Sequence, residues 1–108
     1  MEQINQYTIV LVNLDPTMGS EMKKMRPCIV ISPDEMNKYL QTIVIAPITS
    51  SSKPYPTRVA INHHAKKSWI AIDQIRTIDR LRIVKHFEAL TVNEIEQVKN
   101  VIKETFVD

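Results

Sequence analysis

This chain has little of what many catalytic motifs require. Its 108 residues include one cysteine, Cys28, and one glycine, Gly19. A lone cysteine excludes an intramolecular disulfide framework and a cysteine-rich zinc site. A lone glycine excludes the multi-glycine phosphate cradles of dinucleotide-binding and P-loop proteins, which need several positions without a Cβ. No apolar run approaches the length of a membrane span, so no membrane partner is expected. The opening residues, Met1 to Gln6, have neither the basic start nor the apolar stretch of a secretory signal, and the expected address is cytoplasmic.

What is present suffices for a core. The chain is 44% hydrophobic and 24% charged, which places it among globular domains. Without repeats, linkers or low-complexity segments, residues 1–108 read as a single domain. The net charge of +2 conceals an uneven distribution. Residues 1–57 are balanced, residues 58–86 hold seven basic residues against Asp73 and Asp79, and residues 87–108 are acidic. A basic middle third suits a polyanion such as nucleic acid, although a solubilising surface would look the same.

Hydrophobic patterning places the elements. Residues 8–14 are β-branched and nearly all apolar, as in a strand buried on both faces. Asp15-Pro16-Thr17 ends that run and opens a polar loop reaching Met25. A second strand is expected over 27–32, led by a proline. Ser32-Pro33-Asp34-Glu35 then predicts a short helix with Ser32 as N-cap, ending near Leu40. Further strands are expected over 42–47, 58–61, 68–75 and 82–90, with a Ser/Thr/Pro-rich loop over 48–57. Thr91-Val92-Asn93-Glu94 is a capping box, and Val92, Ile95, Val98, Ile102 and Phe106 follow at helical spacing. Five or six short strands with a helix after the second and another at the C-terminus predict a mainly β fold. The expected architecture is a small, strongly curved antiparallel sheet.

Candidate chemistry is sparse. His63, His64 and His86 have no carboxylate or cysteine at a recognised ligand spacing, so no metal site is expected. His63-His64 beside Lys66-Lys67 reads as a solvated hairpin; the competing idea is that His64 and His86 form an acid/base pair for RNA cleavage. Cys28, inside an apolar strand, reads as a small buried hydrophobe. Trp69, taken as leading a strand, is expected in the core or stacked on a base. Arg26 stands at a loop–strand junction, where it can grip a phosphate with two parallel N–H donors or pair with Glu21 at the surface. Thr49, Ser50, Ser51 and Ser52 offer hydroxyl donors or form only a polar loop.

Taken together, these segments say more. The string Leu14-Asp15-Pro16-Thr17-x-Gly19-Ser20-Glu21-x4-Arg26-Pro27-x-Ile29-Val30-Ile31-Ser32-Pro33 resembles the signature of the MazF/PemK (Kid) family of toxins. Ala46-Pro47-Ile48-Thr49-Ser50 is similar to that family's second block, and Asp73-Gln74-Ile75-Arg76-Thr77-Ile78-Asp79 to its third. Three ordered blocks covering nearly the whole chain are far more specific than one short motif.

The resemblance implies an SH3-like antiparallel barrel with a C-terminal helix, acting as a homodimer. It implies the toxin of a type II toxin–antitoxin system, a metal-independent endoribonuclease that needs no cofactor. Such a toxin cleaves single-stranded RNA, mostly mRNA, at short motifs, leaving a 2′,3′-cyclic phosphate and a 5′-hydroxyl. Its partner would be an antitoxin that lays an acidic, disordered segment over the RNA groove. By position in the family's blocks, Arg26 would neutralise charge on the scissile phosphate and Thr49 would hydrogen-bond it. The base would be Asp73 or Glu21. Ser20, Ser50, Gln74 and Arg76 look like RNA-contacting positions. The alternative is a binding toxin of the same fold that cuts no RNA, like the family's gyrase-poisoning relative. The sequence departs from the pattern in three places. Gln6-Tyr7-Thr8 replaces an Arg-Gly-acidic opening, Met22 replaces Gln, and Lys24 replaces Gly. One branch of the family also pairs its aspartate base with an arginine two residues earlier, where this chain has Ala71.

Overall fold

The β-branched run near the N-terminus extends in one strand and pairs on both edges, and the rest of the sheet grows from it. The fold is taken from a computed structural model that describes residues 3–14, 25–51 and 53–107. Strand β1 is Thr8–Asn13, β2 Met25–Val30, β3 Thr42–Thr49, β4 Arg58–His63, β5 Lys66–Ala71, β6 Arg76–Asp79 and β7 Ile83–Ala89. Helix α1 spans Asp34–Tyr39 and helix α2 spans Val92–Ile102. The sheet runs β4-β5-β3-β2-β1-β7, and β6 pairs with β3 beside this path. Every pairing is antiparallel, as the curved sheet requires.

Alternation assigns side chains to two cores. Ile9, Ile29, Ala46 and Ile48 face a cluster completed by Val59, Ile61, Ile70, Ile72 and Val98 of α2. Their neighbours Val10, Val12, Cys28, Val30, Ile43 and Ile45 face the opposite cluster with Ile4 and Ile78. The three central strands are thus covered on both faces, which explains why β1 reads as a continuous apolar run.

Strand β3 is longer than the sequence predicts, because Pro47 does not end it. Residues Thr42 to Ile45 pair with β6, and Ile48 and Thr49 pair with β5 on the same edge. Pro47 falls in the gap between these ladders, where its missing N–H costs nothing on that edge. The strand predicted over 68–75 ends at Ala71, in a 3-10 turn over Ile72–Gln74. Strand β6 was invisible because only Ile78 of its four residues is buried. Trp69 lies in the middle of β5, half-buried opposite Ala60 and Thr49, rather than leading a strand.

The two helix starts also differ. Thr91 accepts from the Glu94 amide at 3.2 Å, and the Glu94 carboxylate accepts from the Thr91 amide at 2.9 Å. This reciprocal cap stabilises α2 by about 1 kcal/mol. At α1, by contrast, Pro33 is the N-cap and Ser32 makes no capping bond. The Ser32 hydroxyl instead donates to Asn37 and accepts the Val44 amide, inside a buried network in which Asn37 also donates to the carbonyls of Ile4 and Ser32. Tertiary partners outcompeted the local one. Val92 and Phe106 are exposed despite their helical spacing. Val92 is the first residue of α2, and Phe106 lies in a wider, π-type turn over Lys103–Val107 that shifts the helical phase.

Tyr7, one of the positions where the sequence departs from the resembled pattern, has a left-handed backbone with φ of 63°. That conformation costs a non-glycine residue about 1–2 kcal/mol. Hydrogen bonds from its amide to Val30 and from Leu90 to its carbonyl hold it there, and its ring packs on the first core.

Candidate active site

Arg26 is the second residue of β2, fixed by pairing with Val12 of β1, and its side chain is exposed. Strong fixation of the backbone with a free head is what a phosphate-binding guanidinium needs. Among the described residues no carboxylate pairs with it. Its side chain forms the wall between two clefts. One, of about 490 Å³, is lined by Met25, Arg26, Pro27, Ile48, Thr49, Ser50, His63, His64, Lys66 and Ser68. The other, of about 400 Å³, is lined by Leu14, Arg26, Pro47, Gln74 and Arg76.

The structure therefore brings four of the predicted residues around the guanidinium of a fifth, Arg26. Thr49 and Ser50 stand on one side of Arg26, and Gln74 and Arg76 on the other. Thr49 ends β3, where its hydroxyl donates to the Ser51 carbonyl at 3.0 Å and accepts the Ser51 amide at 3.2 Å. This local turn fixes the loop and holds the oxygen at the cleft wall. Gln74 closes the 3-10 turn and Arg76 opens β6 opposite Ile45, so both are placed by the edge of β3. Ser20 and Glu21 lie outside the described residues.

Asp73 lines neither cleft. Its carboxylate accepts from Arg58 Nε at 3.0 Å and Nη2 at 3.4 Å. Partial burial alone would raise its pKa, but hydrogen bonds from Arg58 and Thr57 outweigh that and hold it below the ordinary aspartate value. The register explains the partner: Arg58 of β4 sits directly opposite Ala71 of β5. Arg58 therefore reaches Asp73 from across the ladder. Sequence reasoning missed it because the spacing of fifteen residues carries no local pattern.

The basic middle third divides on inspection. Arg58 holds Asp73, Arg80 donates to the carbonyls of Asn37 and Leu40 at the end of α1, and Arg82 donates to the Asn13 carbonyl. All three brace the fold: Arg58 holds a carboxylate, while Arg80 and Arg82 satisfy carbonyls at a helix end and a strand end. Lys66 and Arg76 line the clefts. Burial pushes the Cys28 thiol up to about 12 despite the nearby positive charge of Arg26 and Arg76, which removes it as a nucleophile.

His63 and His64 form the end of the expected hairpin, and that end lines the Arg26 cleft. His63 Nδ1 lies 3.1 Å from a carboxylate oxygen of Glu88 on β7. His86 lies on β7 opposite Val10 and is not among the lining residues of either cleft.

Comparison with known proteins gives a consistent answer. The chain is 34% identical over 100 residues to the Endoribonuclease MazF of Staphylococcus saprophyticus, covering 87% of this chain and 83% of that one. A chain of the MazE-MazF crystal structure from Deinococcus radiodurans superposes with a TM-score of 0.80 at 25% identity, covering 96% of each. An endoribonuclease from a mycobacterial species, solved in complex with its cognate antitoxin, shares the fold with a TM-score of 0.80 at 14% identity, covering 94% of this chain and 92% of that one. The sequence profile of PemK-like, MazF-like toxins of type II toxin-antitoxin systems matches residues 5–106. With that profile spanning nearly all of its length and the curled sheet of those toxins underneath, the chain belongs to the PemK/MazF family of type II toxin-antitoxin toxins.

Proposed function

We propose that this toxin is an endoribonuclease that cleaves single-stranded RNA, mRNA above all, by attack of a ribose 2′-hydroxyl on the adjacent phosphorus. As the 2′-oxygen bonds to phosphorus its proton passes to a base, the bond from phosphorus to the 5′-oxygen breaks, and that oxygen takes up a proton from water, leaving a 2′,3′-cyclic phosphate and a 5′-hydroxyl. The observation that carries this reading is the Arg26 guanidinium, without a described carboxylate partner, standing between two clefts with Thr49 beside it. As the phosphorus becomes five-coordinate, negative charge grows on its non-bridging oxygens. A fixed cation and a hydroxyl donor at that point lower the barrier more than they stabilise the substrate. Arg26 supplies the cation. Thr49 supplies the donor once its proton turns from Ser51 to the phosphate.

An RNA strand lying across Arg26 would have its neighbouring nucleotides in the two clefts, against Ser50 and Lys66 on one side and Gln74 and Arg76 on the other. Two carboxylates compete for the role of base, Glu21 and Asp73. The Arg58 pair keeps Asp73 ionised at neutral pH but lowers its basicity. Loss of the acidic limb of the pH–rate profile in Glu21→Gln or in Asp73→Asn identifies which of the two accepts the proton. The chain would act as a homodimer in the cytoplasm. An antitoxin with an acidic, disordered segment would silence it by covering Arg26 and the clefts.

The test is incubation of the purified protein with a long single-stranded RNA in EDTA, followed by mapping of fragment ends. Fragments ending in cyclic phosphate support the reading. RNA left intact by the wild type, or cut equally well by Arg26→Ala, refutes it.

A further inference from the structure

Successive side chains of a strand point to opposite faces, so two adjacent histidines ordinarily cannot meet. Here they do. His64 and Ala65 form the two-residue turn between β4 and β5 with φ of 52° and 61°, and this left-handed turn folds the His64 ring onto that of His63. The ring centroids are 4.0 Å apart, nearly parallel. Neither turn residue is the glycine or asparagine that such a turn favours, so the hairpin stores strain to hold the pair.

A third group arrives from the far end of the sheet. Strands β4 and β7 are the two ends of the strand order, with no backbone ladder between them among the described residues. Curling of the sheet brings Glu88 of β7 within 3.1 Å of His63 Nδ1. Nitrogen and oxygen atoms of His63, His64 and Glu88 that can ligate a metal all lie within 4.8 Å of one another. Phe87 packs edge-on against both imidazoles, with centroids 5.3 and 5.2 Å away.

We propose that His63, His64 and Glu88 form a binding site for a divalent transition-metal ion of the zinc class, and that the bound ion clamps the β4–β5 hairpin to β7 at the seam of the curled sheet. Two imidazoles and one carboxylate are the donor set of zinc, cobalt or nickel, whereas magnesium and calcium require mostly oxygen. Tetrahedral bonds of about 2.0–2.2 Å draw such donors to roughly 3.3 Å apart. His64 and Glu88 are exposed and reach that separation by side-chain rotation, without disturbing the core. Lys66 and Lys85, close by, add positive charge and favour a weak, exchangeable site over a permanent structural one. The ion takes no part in chemistry at Arg26. Because both histidines line the Arg26 cleft, occupancy fixes one of its walls.

The test uses Co2+ and Zn2+ alone with the intact protein. Wild type should bind one equivalent per chain, seen as Co2+ absorbance that Zn2+ displaces, and Zn2+ should raise its melting temperature. His64→Ala and Glu88→Gln should each weaken binding by about tenfold or more and abolish the thermal shift. Absence of stoichiometric binding, or binding by both variants as tight as by wild type, overturns the site; binding with no thermal shift overturns the clamp. A second arm rests on the nuclease reading. Zn2+ should slow RNA cleavage by wild type and not by Glu88→Gln, while both cut equally in EDTA. Equal slowing of the two variants overturns the effect on the cleft. A wild type that binds Zn2+ but never cuts RNA refutes the nuclease reading and leaves the site standing.

Discussion

The two clefts that meet at Arg26 are built differently. The one beside Thr49 and Ser50 is walled by strand ends, a hydroxyl-rich turn and the histidine hairpin. The one beside Gln74 and Arg76 is shallower in chemistry, with one amide, a second guanidinium and the apolar Leu14 and Pro47. Hydroxyl and imidazole groups are concentrated on the first side, and an exposed guanidinium, that of Arg76, sits on the second. Under the proposed function this difference would divide the labour, with reaction on one flank of Arg26, grip on the other, and the shared guanidinium serving both.

Mutations should separate these roles in a graded way. Arg26→Ala belongs to both clefts and should remove cleavage by about a hundredfold to a thousandfold. Its exposed side chain leaves the thermal melt within about 0.5 kcal/mol of wild type, checked by circular dichroism. Thr49→Val tests the reactive flank alone and should lower kcat by about tenfold with little change in KM, measured on a fluorogenic RNA. An effect on KM instead would move Thr49 to the gripping side. Arg76→Ala tests the other flank: KM should rise, kcat should hold, and the slope of log affinity against log salt should fall by about one phosphate contact. If Arg76→Ala lowered kcat as Thr49→Val does, the clefts would not differ as described.

The smallest effect, read on stability and not on cleavage, is expected at Asp73, which lines neither cleft. Its carboxyl titrates below the ordinary value of 3.8 in the folded chain, so its pair with Arg58 stabilises the protein above that value. The contribution is lost as the pH falls through the lowered folded value. Asp73→Asn should therefore be slightly less stable than wild type near neutrality and equal to it in strong acid. Acid-unfolding curves of the two proteins check this, and the gap should be modest because the pair is solvent-accessible.

Much of this fold was legible in the residues, for reasons that differ between elements. The apolar run of β1 and the Thr91 cap are local signals, and tertiary packing agreed with both. Ser32 was an equally good local cap, yet the buried Asn37 and the Val44 amide claimed its hydroxyl. Strand β6 exists because β3 has a free edge over Thr42–Ile45, and nothing within Arg76–Asp79 announces that partner. The candidate site followed the same rule. Arg26 and Thr49 were readable from motif blocks, whereas Arg58 reached Asp73 and Glu88 reached His63 only through strand register and sheet curvature.

The sequence by itself determined the two-sided apolar strands, the C-terminal capping box and the order of the three motif blocks. Those are properties of neighbours along the chain, governed by side-chain period and local hydrogen bonding. The tertiary structure decided which charges are spent on the fold and which line the clefts among the described residues. It tied Arg58, Arg80 and Arg82 to partners far away in sequence and left Arg26 between two clefts. Ion pairing depends on distance through space, and the path of a curled sheet fixes that distance in a way no local pattern records.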